Sequence, residues 1–184
     1  MLCLPMMFLS LGVCSSTALH IQAAARSSVC LRTGSVPRAS PRMGLSKGAQ
    51  FPVDALTKFG VEGEKAVIFL FGQDDAPSCS KQIAAFDAQF ATFADANIRV
   101  LGVRSNAFAL TRYPVKSGSS KLSFALDEDD AVRKQIDIKA DMFGFLGGRE
   151  TYVVDAAGKV AAVHNAQLDV DSHVQFALTA IKAL

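Results

Sequence analysis

No aspartate or glutamate occurs before Asp54, no tryptophan occurs anywhere, and only one of the four cysteines lies beyond residue 30. Each absence excludes something. Cys3, Cys14 and Cys30 fall in the front segment, so the rest of the chain keeps Cys79 alone. A single thiol forms no internal disulfide, which rules out a disulfide-stapled fold, a CxxC redox pair and a cysteine-rich zinc site there. The three histidines, His20, His164 and His173, have no ligand spacing, so neither a metal nor another cofactor is expected. The apolar run from Leu2 to Val13 is too short to span a bilayer in a mature protein, so no stable membrane insertion is expected.

The shortage of acids at the front moves the balance of charge. The whole chain has 19 Lys+Arg against 17 Asp+Glu, but Arg26, Arg32, Arg38, Arg42 and Lys47 precede Asp54, leaving 14 against 17. The basic character therefore belongs to the front segment. No Lys/Arg patch with interleaved aromatics remains beyond it, and a nucleic-acid partner loses its electrostatic footing.

The front reads as an address. "LCLPMMFLSLGV" suits the apolar region of a signal peptide, and the small residues of "CSSTA" and "QAAA" suit cleavage, so residues 1–25 are signal-peptide-like. "RSSVCLRTGSVPRASPRMGLSKG" is rich in Arg and Ser without acids, making residues 26–47 transit-peptide-like. Such a bipartite presequence resembles those that take proteins into plastids surrounded by extra membranes. The alternative is a secretion signal followed by a basic tail.

Residues 48–184 read as one α/β domain. "KAVIFLF", Lys65 to Phe71, is an unbroken apolar run expected to be a buried central strand. From Cys79 to Ala96 the spacing of Ile83, Phe86, Phe90 and Phe93 predicts one amphipathic helix whose Phe stripe is core. "IRVLGV" and "LSFALD" read as further strands, and "EDDAVRKQI" as a short helix with acids first and bases last, as the helix dipole prefers. "ETYVVDAAGKVAAVHNA" reads as two strands joined at Gly158, and "DSHVQFALTAIKAL" as a closing helix with Val174, Ala177, Leu178 and Ile181 on one face. The pattern is a central mixed β-sheet flanked by helices, which suggests a thioredoxin-like fold.

"FLFGQDDAPSCSKQIAAF" resembles the active-site segment of the peroxiredoxin Q group, also called bacterioferritin comigratory proteins. The likeness continues through "LSFALDEDDAVRKQIDIKADMFGFLGGRETYVVDAAGKVAAVHNAQ" and covers roughly Val67 to the C-terminus. It implies Cys79 as peroxidatic nucleophile, Arg149 of the Gly-Arg-x-Thr stretch as stabiliser of thiolate and peroxide, and Pro77 as a shield of the pocket. The implied activity is thiol-dependent reduction of hydrogen peroxide, and of organic hydroperoxides as a further substrate class. The residue types suit that chemistry. Thiolate, not thiol, is the nucleophile, and an ordinary cysteine is mostly protonated at neutral pH. The first turn of a helix and a fixed guanidinium both favour a negative sulfur and the charge that develops on the leaving oxygen.

Three positions depart from the group's pattern. Ala76 stands where a Thr or Ser hydroxyl would orient the peroxide, a loss of about 1.5–3 kcal/mol if nothing replaces it. Gly72 stands where a Pro would stiffen the strand-to-loop turn. Ala84 occupies the usual place of the resolving cysteine, so an active chain would run a one-cysteine cycle, reduced by thioredoxin, by glutathione with glutaredoxin, or through an intermolecular disulfide. The protein would then be a monomer or a redox-linked dimer. The opening of the domain leaves little room for a β-hairpin, which would expose a sheet edge. Other readings are Arg149 as a surface ion-pair partner of Glu150 or the acids of 127–130, "GFLGGR" as a turn rather than a phosphate loop, and Asp74 and Asp75 as a solvated acidic loop. At the level of function, the alternative to an enzyme is a non-catalytic or weakly active thioredoxin-like redox sensor or binding protein.

Overall fold

The computed structural model describes residues 44–73, 76–106, 120–138 and 148–184. The chain divides into two units, Met1–Arg38 and Ala39–Leu184, and every described residue belongs to the second. The presequence readings up to residue 43, the acidic pair Asp74 and Asp75, and residues 144–147 of "GFLGGR" lie outside the described residues.

Strand β1, Ala66–Phe71, is buried along its whole length and lies at the centre of a five-stranded sheet of order β3-β2-β1-β4-β5. β2 (Arg99–Ser105) runs parallel to β1, and β3 (Ser123–Asp127) runs parallel to β2. β4 (Glu150–Val154) is antiparallel to β1, and β5 (Val160–Asn165) is antiparallel to β4. β1 shows no polar alternation because both of its faces are covered. Ala66, Ile68 and Leu70 enter one core with Phe51, Leu56, Leu101 and Tyr152, while Val67, Phe69 and Phe71 enter the other with Cys79, Phe86, Phe93 and Val174. Helices α1 (Val53–Lys58) and α4 (Ala131–Gln135) cover the first face; α2 (Pro77–Ala88), α3 (Phe90–Asp95) and α5 (Val170–Ala180) cover the second. The expected mixed sheet flanked by helices is what the chain forms.

Two expectations need correction. The single helix over 79–96 is two, broken at Gln89 (φ −102, ψ 9), whose N–H bonds to the Phe86 carbonyl and so tightens the turn. The break lets Phe86 and Phe93 both reach full burial, with ring centroids 6.1 Å apart, while Ile83 and Phe90 stay half-buried. The helix also begins at Pro77, whose missing N–H costs nothing at the first helical position.

The second correction concerns the opening of the domain. Among the described residues there is no initial hairpin, but the edge at the start of β5 is not bare. Gly48 N–H donates to Val160 O (2.7 Å), Val160 N–H to Ala49 O (2.9 Å) and Phe51 N–H to Gly158 O (2.9 Å). The β4–β5 turn depends on Gly158 at φ +76, where a Cβ would fall 2.7 Å from both Gln50 Nε2 and Leu56 Cδ1. Asp155 Oδ1 closes this turn by accepting from the N–H groups of Ala157 and Lys159.

Candidate active site

β1 leads directly into the loop before α2, and β4 returns beside it. The register pairs Phe69 with Thr151, so the chain just beyond brings Arg149 level with Phe71 at the end of β1. Cys79 stands in the first turn of α2 on its inward face and is 3% exposed. Arg149, also 3% exposed, donates from Nη2 to Cys79 Sγ (3.4 Å) and to Ser78 Oγ (3.0 Å), and from Nη1 to Ser78 O (3.3 Å). A sulfur and a guanidinium 70 residues apart in sequence are thus in direct contact. Arg149 is buried rather than on the surface, and of the acidic run Asp130 lies beside Arg133, at 4.0 Å.

The remaining positions singled out by sequence are also placed. Ala76 is the N-cap residue, offers no side-chain cap, and accepts the N–H groups of Cys79 and Ser80 on its carbonyl, at 2.9 Å each. Pro77 follows it at the first helical position and is exposed. Gly72 leaves β1 and is half-buried, and Ala84 lies on the exposed side of α2. Cys79 is a free thiol.

A family model described as the AhpC/TSA family matches residues 41–163. A chloroplastic peroxiredoxin Q from Sedum lineare is 32% identical over 130 residues, covering 71% of this chain and 69% of that protein. The chain belongs to the AhpC/TSA family and, within it, to the peroxiredoxin Q group. A chloroplastic peroxiredoxin Q from Oryza sativa subsp. japonica is also 32% identical, but the match spans only 59% of its length. Among solved structures, peroxiredoxin Q of Xanthomonas campestris matches with TM-score 0.54 at 27% identity, covering 66% of this chain and 80% of that one. Peroxidoxin BcpB of Mycobacterium tuberculosis shares the fold, with TM-score 0.56 at 20% identity over 78% and 97% of the two chains.

Three buried polar side chains around this candidate site escaped the sequence reading of roles. Gln82, one turn after Cys79, is 0% exposed, and neither atom of its amide has a partner among the described residues. A buried amide left without partners costs about 1–3 kcal/mol. Arg133, one of the bases late in the short helix of "EDDAVRKQI", is 3% exposed. His173 is 0% exposed on the inward face of α5, a position its spacing with Val170, Val174 and Ala177 could have signalled.

His173 has a defined tautomer. Its Nε2 lies 2.7 Å from the Ala166 carbonyl, which can only accept, so Nε2 carries the proton and Nδ1 accepts the Thr151 hydroxyl at 2.8 Å. The His164 ring packs edge-on at 4.8 Å, itself bonded to Ser172 Oγ, and among the described residues no metal-competent group of three ligands forms. Burial pulls the His173 pKa down to about 4; the charges of His164 and Arg149 act in the same direction, and the Ala166 bond opposes them. The unfolded chain therefore takes up a proton near pH 6.5 that the folded chain refuses until about pH 4. This contribution is intact above pH 6.5 and is lost as pH falls to about 4, by up to about 3 kcal/mol. Urea unfolding at pH 7 and pH 4.5 should show a larger acid loss in the parent than in His173→Asn. Equal losses would mean that His173 does not control the acid limb.

Proposed function

We propose that this domain, residues 48–184, is a thiol-dependent peroxidase working through Cys79 in a one-cysteine cycle. The observation that carries the reading is the 3.4 Å contact of Arg149 Nη2 with Cys79 Sγ at the first turn of α2. The thiolate attacks one peroxide oxygen, the O–O bond breaks, and Cys79 becomes a sulfenic acid while the departing oxygen takes a proton and leaves as water or alcohol. Arg149 holds positive charge beside the sulfur and near the oxygen on which negative charge grows. A first external thiol then displaces water from the sulfenic acid to form a mixed disulfide, and a second restores Cys79 and leaves as disulfide. Thioredoxin, or glutathione with glutaredoxin, fits that role, as does a Cys79–Cys79 link between two otherwise monomeric chains. The peroxide substrates are hydrogen peroxide and organic hydroperoxides.

The chloroplastic relatives support a plastid location, which agrees with reading residues 1–25 and 26–47 as a two-step address rather than a secretion signal and tail. No helix among the described residues is long and apolar enough to cross a membrane.

Stopped-flow mixing of the reduced domain with hydrogen peroxide tests the enzyme reading. Thiol loss should far outpace that of free cysteine at the same pH, and dimedone should trap a sulfenic acid on the Cys79 peptide. Loss no faster than free cysteine would leave the non-catalytic sensor, the reading that Ala76, Gly72 and Ala84 motivate.

A further inference from the structure

The ladder between β1 and β4 ends at the pair Phe69 and Thr151. Beyond it the two segments part. One runs through Phe71 and Gly72 toward Cys79, and the other arrives through Gly148 at Arg149. The guanidinium of Arg133, carried on α4, bridges them: Nη2 donates to Phe71 O at 2.8 Å and Nη1 to Gly148 O at 2.5 Å. We propose that Arg133 is a positioning residue, a two-pronged clamp that sets the spacing of Cys79 and Arg149 by holding the carbonyls from which their segments depart. The proposal rests on the reading of Cys79 as nucleophile.

A glycine adjoins or supplies each clamped carbonyl. Gly72 follows one held carbonyl and Gly148 supplies the other, so neither has a side chain that stiffens the backbone. The planar fork of an arginine supplies two N–H groups at fixed separation, which a point-like ammonium cannot reproduce.

The surroundings are built to present this side chain. Asp127 accepts the N–H groups of Val132 (2.9 Å) and Arg133 (3.0 Å) and so caps α4. Asp129 and Asp130 turn the chain through successive left-handed conformations, φ 54 and 52, which residues with a Cβ rarely adopt. That turn carries Asp130 Oδ1 to Ser105 Oγ (2.7 Å) and the Asn106 N–H (3.0 Å) and leaves it 4.0 Å from Arg133 Nε. A buried cation is expensive without such neighbours. Burial lowers the Arg133 pKa from its ordinary value, and Asp130, Asp127, Glu150 and Cys79 oppose the shift, so the guanidinium keeps its proton. Cys79 is thus among the groups that feel its charge.

The test uses Arg133→Lys and Arg133→Met in the full chain. Thermal melting reports folding, mass spectrometry follows alkylation of the Cys79 peptide by iodoacetamide across pH, and stopped flow gives the rate with hydrogen peroxide. The clamp predicts folded variants whose Cys79 alkylation profile moves to higher pH and whose peroxide rate falls about ten- to a hundredfold, for Lys as well as for Met. A folded Arg133→Lys with the parental profile and rate would overturn it. Loss of folding in both variants would also overturn it, making Arg133 a residue of the fold rather than of the site. The alkylation profile can be read even if the parent reduces no peroxide, so failure of the clamp and failure of the peroxidase reading give different results.

Discussion

Arg149→Met should slow the reaction of Cys79 with hydrogen peroxide by about a hundred- to a thousandfold, the usual cost of removing a preorganised donor from a buried site. The parent side chain makes three contacts at once, to Cys79 Sγ, Ser78 Oγ and Ser78 O. Those contacts fix the guanidinium before any peroxide arrives, so little reorganisation is needed as charge moves from sulfur to the departing oxygen. Arg149→Lys should do nearly as badly, because one ammonium cannot keep all three contacts from the same backbone position. Stability should change far less than rate. Ser78 is exposed, so water can replace the lost bonds to its carbonyl and hydroxyl. Second-order rate constants from stopped flow, measured beside melting curves, check this. Parental rates in a folded Arg149→Met would remove the guanidinium from the chemistry.

The elements that were legible in the sequence are those whose physics is local. β1, β2 and the β4–β5 hairpin followed from apolar runs and one obligate glycine, and β1, buried on both faces, has no polar residue to disguise it. The candidate site was legible as a set of residues: Cys79 at a strand–loop–helix junction, and Arg149 before the next apolar run. Their 3.4 Å contact was not, since the two lie 70 residues apart and meet only because β4 pairs with β1. The break at Gln89 was hidden because both halves keep helical spacing, and only the packing of Phe86 and Phe93 selects the bend. Arg133 was hidden for another reason. On a five-residue helix between Val132 and Lys134 a base looks solvated, and its burial depends on Asp127, on Asp130 and on two carbonyls distant in sequence.

Phe86→Ala should cost about 3–5 kcal/mol of stability, as large-to-small changes at fully buried aromatics do. Phe86 is 0% exposed, and its ring stacks on Phe69 of β1 at 4.4 Å with an interplanar angle of 10°. Phe93 closes the other side at 6.1 Å. These neighbours belong to the sheet and to α3 and cannot collapse far into the space that the ring leaves, so a cavity term adds to the lost burial. The same stack seats α2 on the sheet, and α2 carries Cys79 two turns before Phe86. Phe86→Leu keeps most of the volume and should retain more than half of the stability that Ala forfeits. Urea unfolding of the three proteins checks the order parent, Leu, Ala. A loss below about 1 kcal/mol for Ala would show that α2 is held chiefly elsewhere, through its contacts with α5. If the predicted order holds, the aromatic stack that makes the core also seats the helix that carries Cys79.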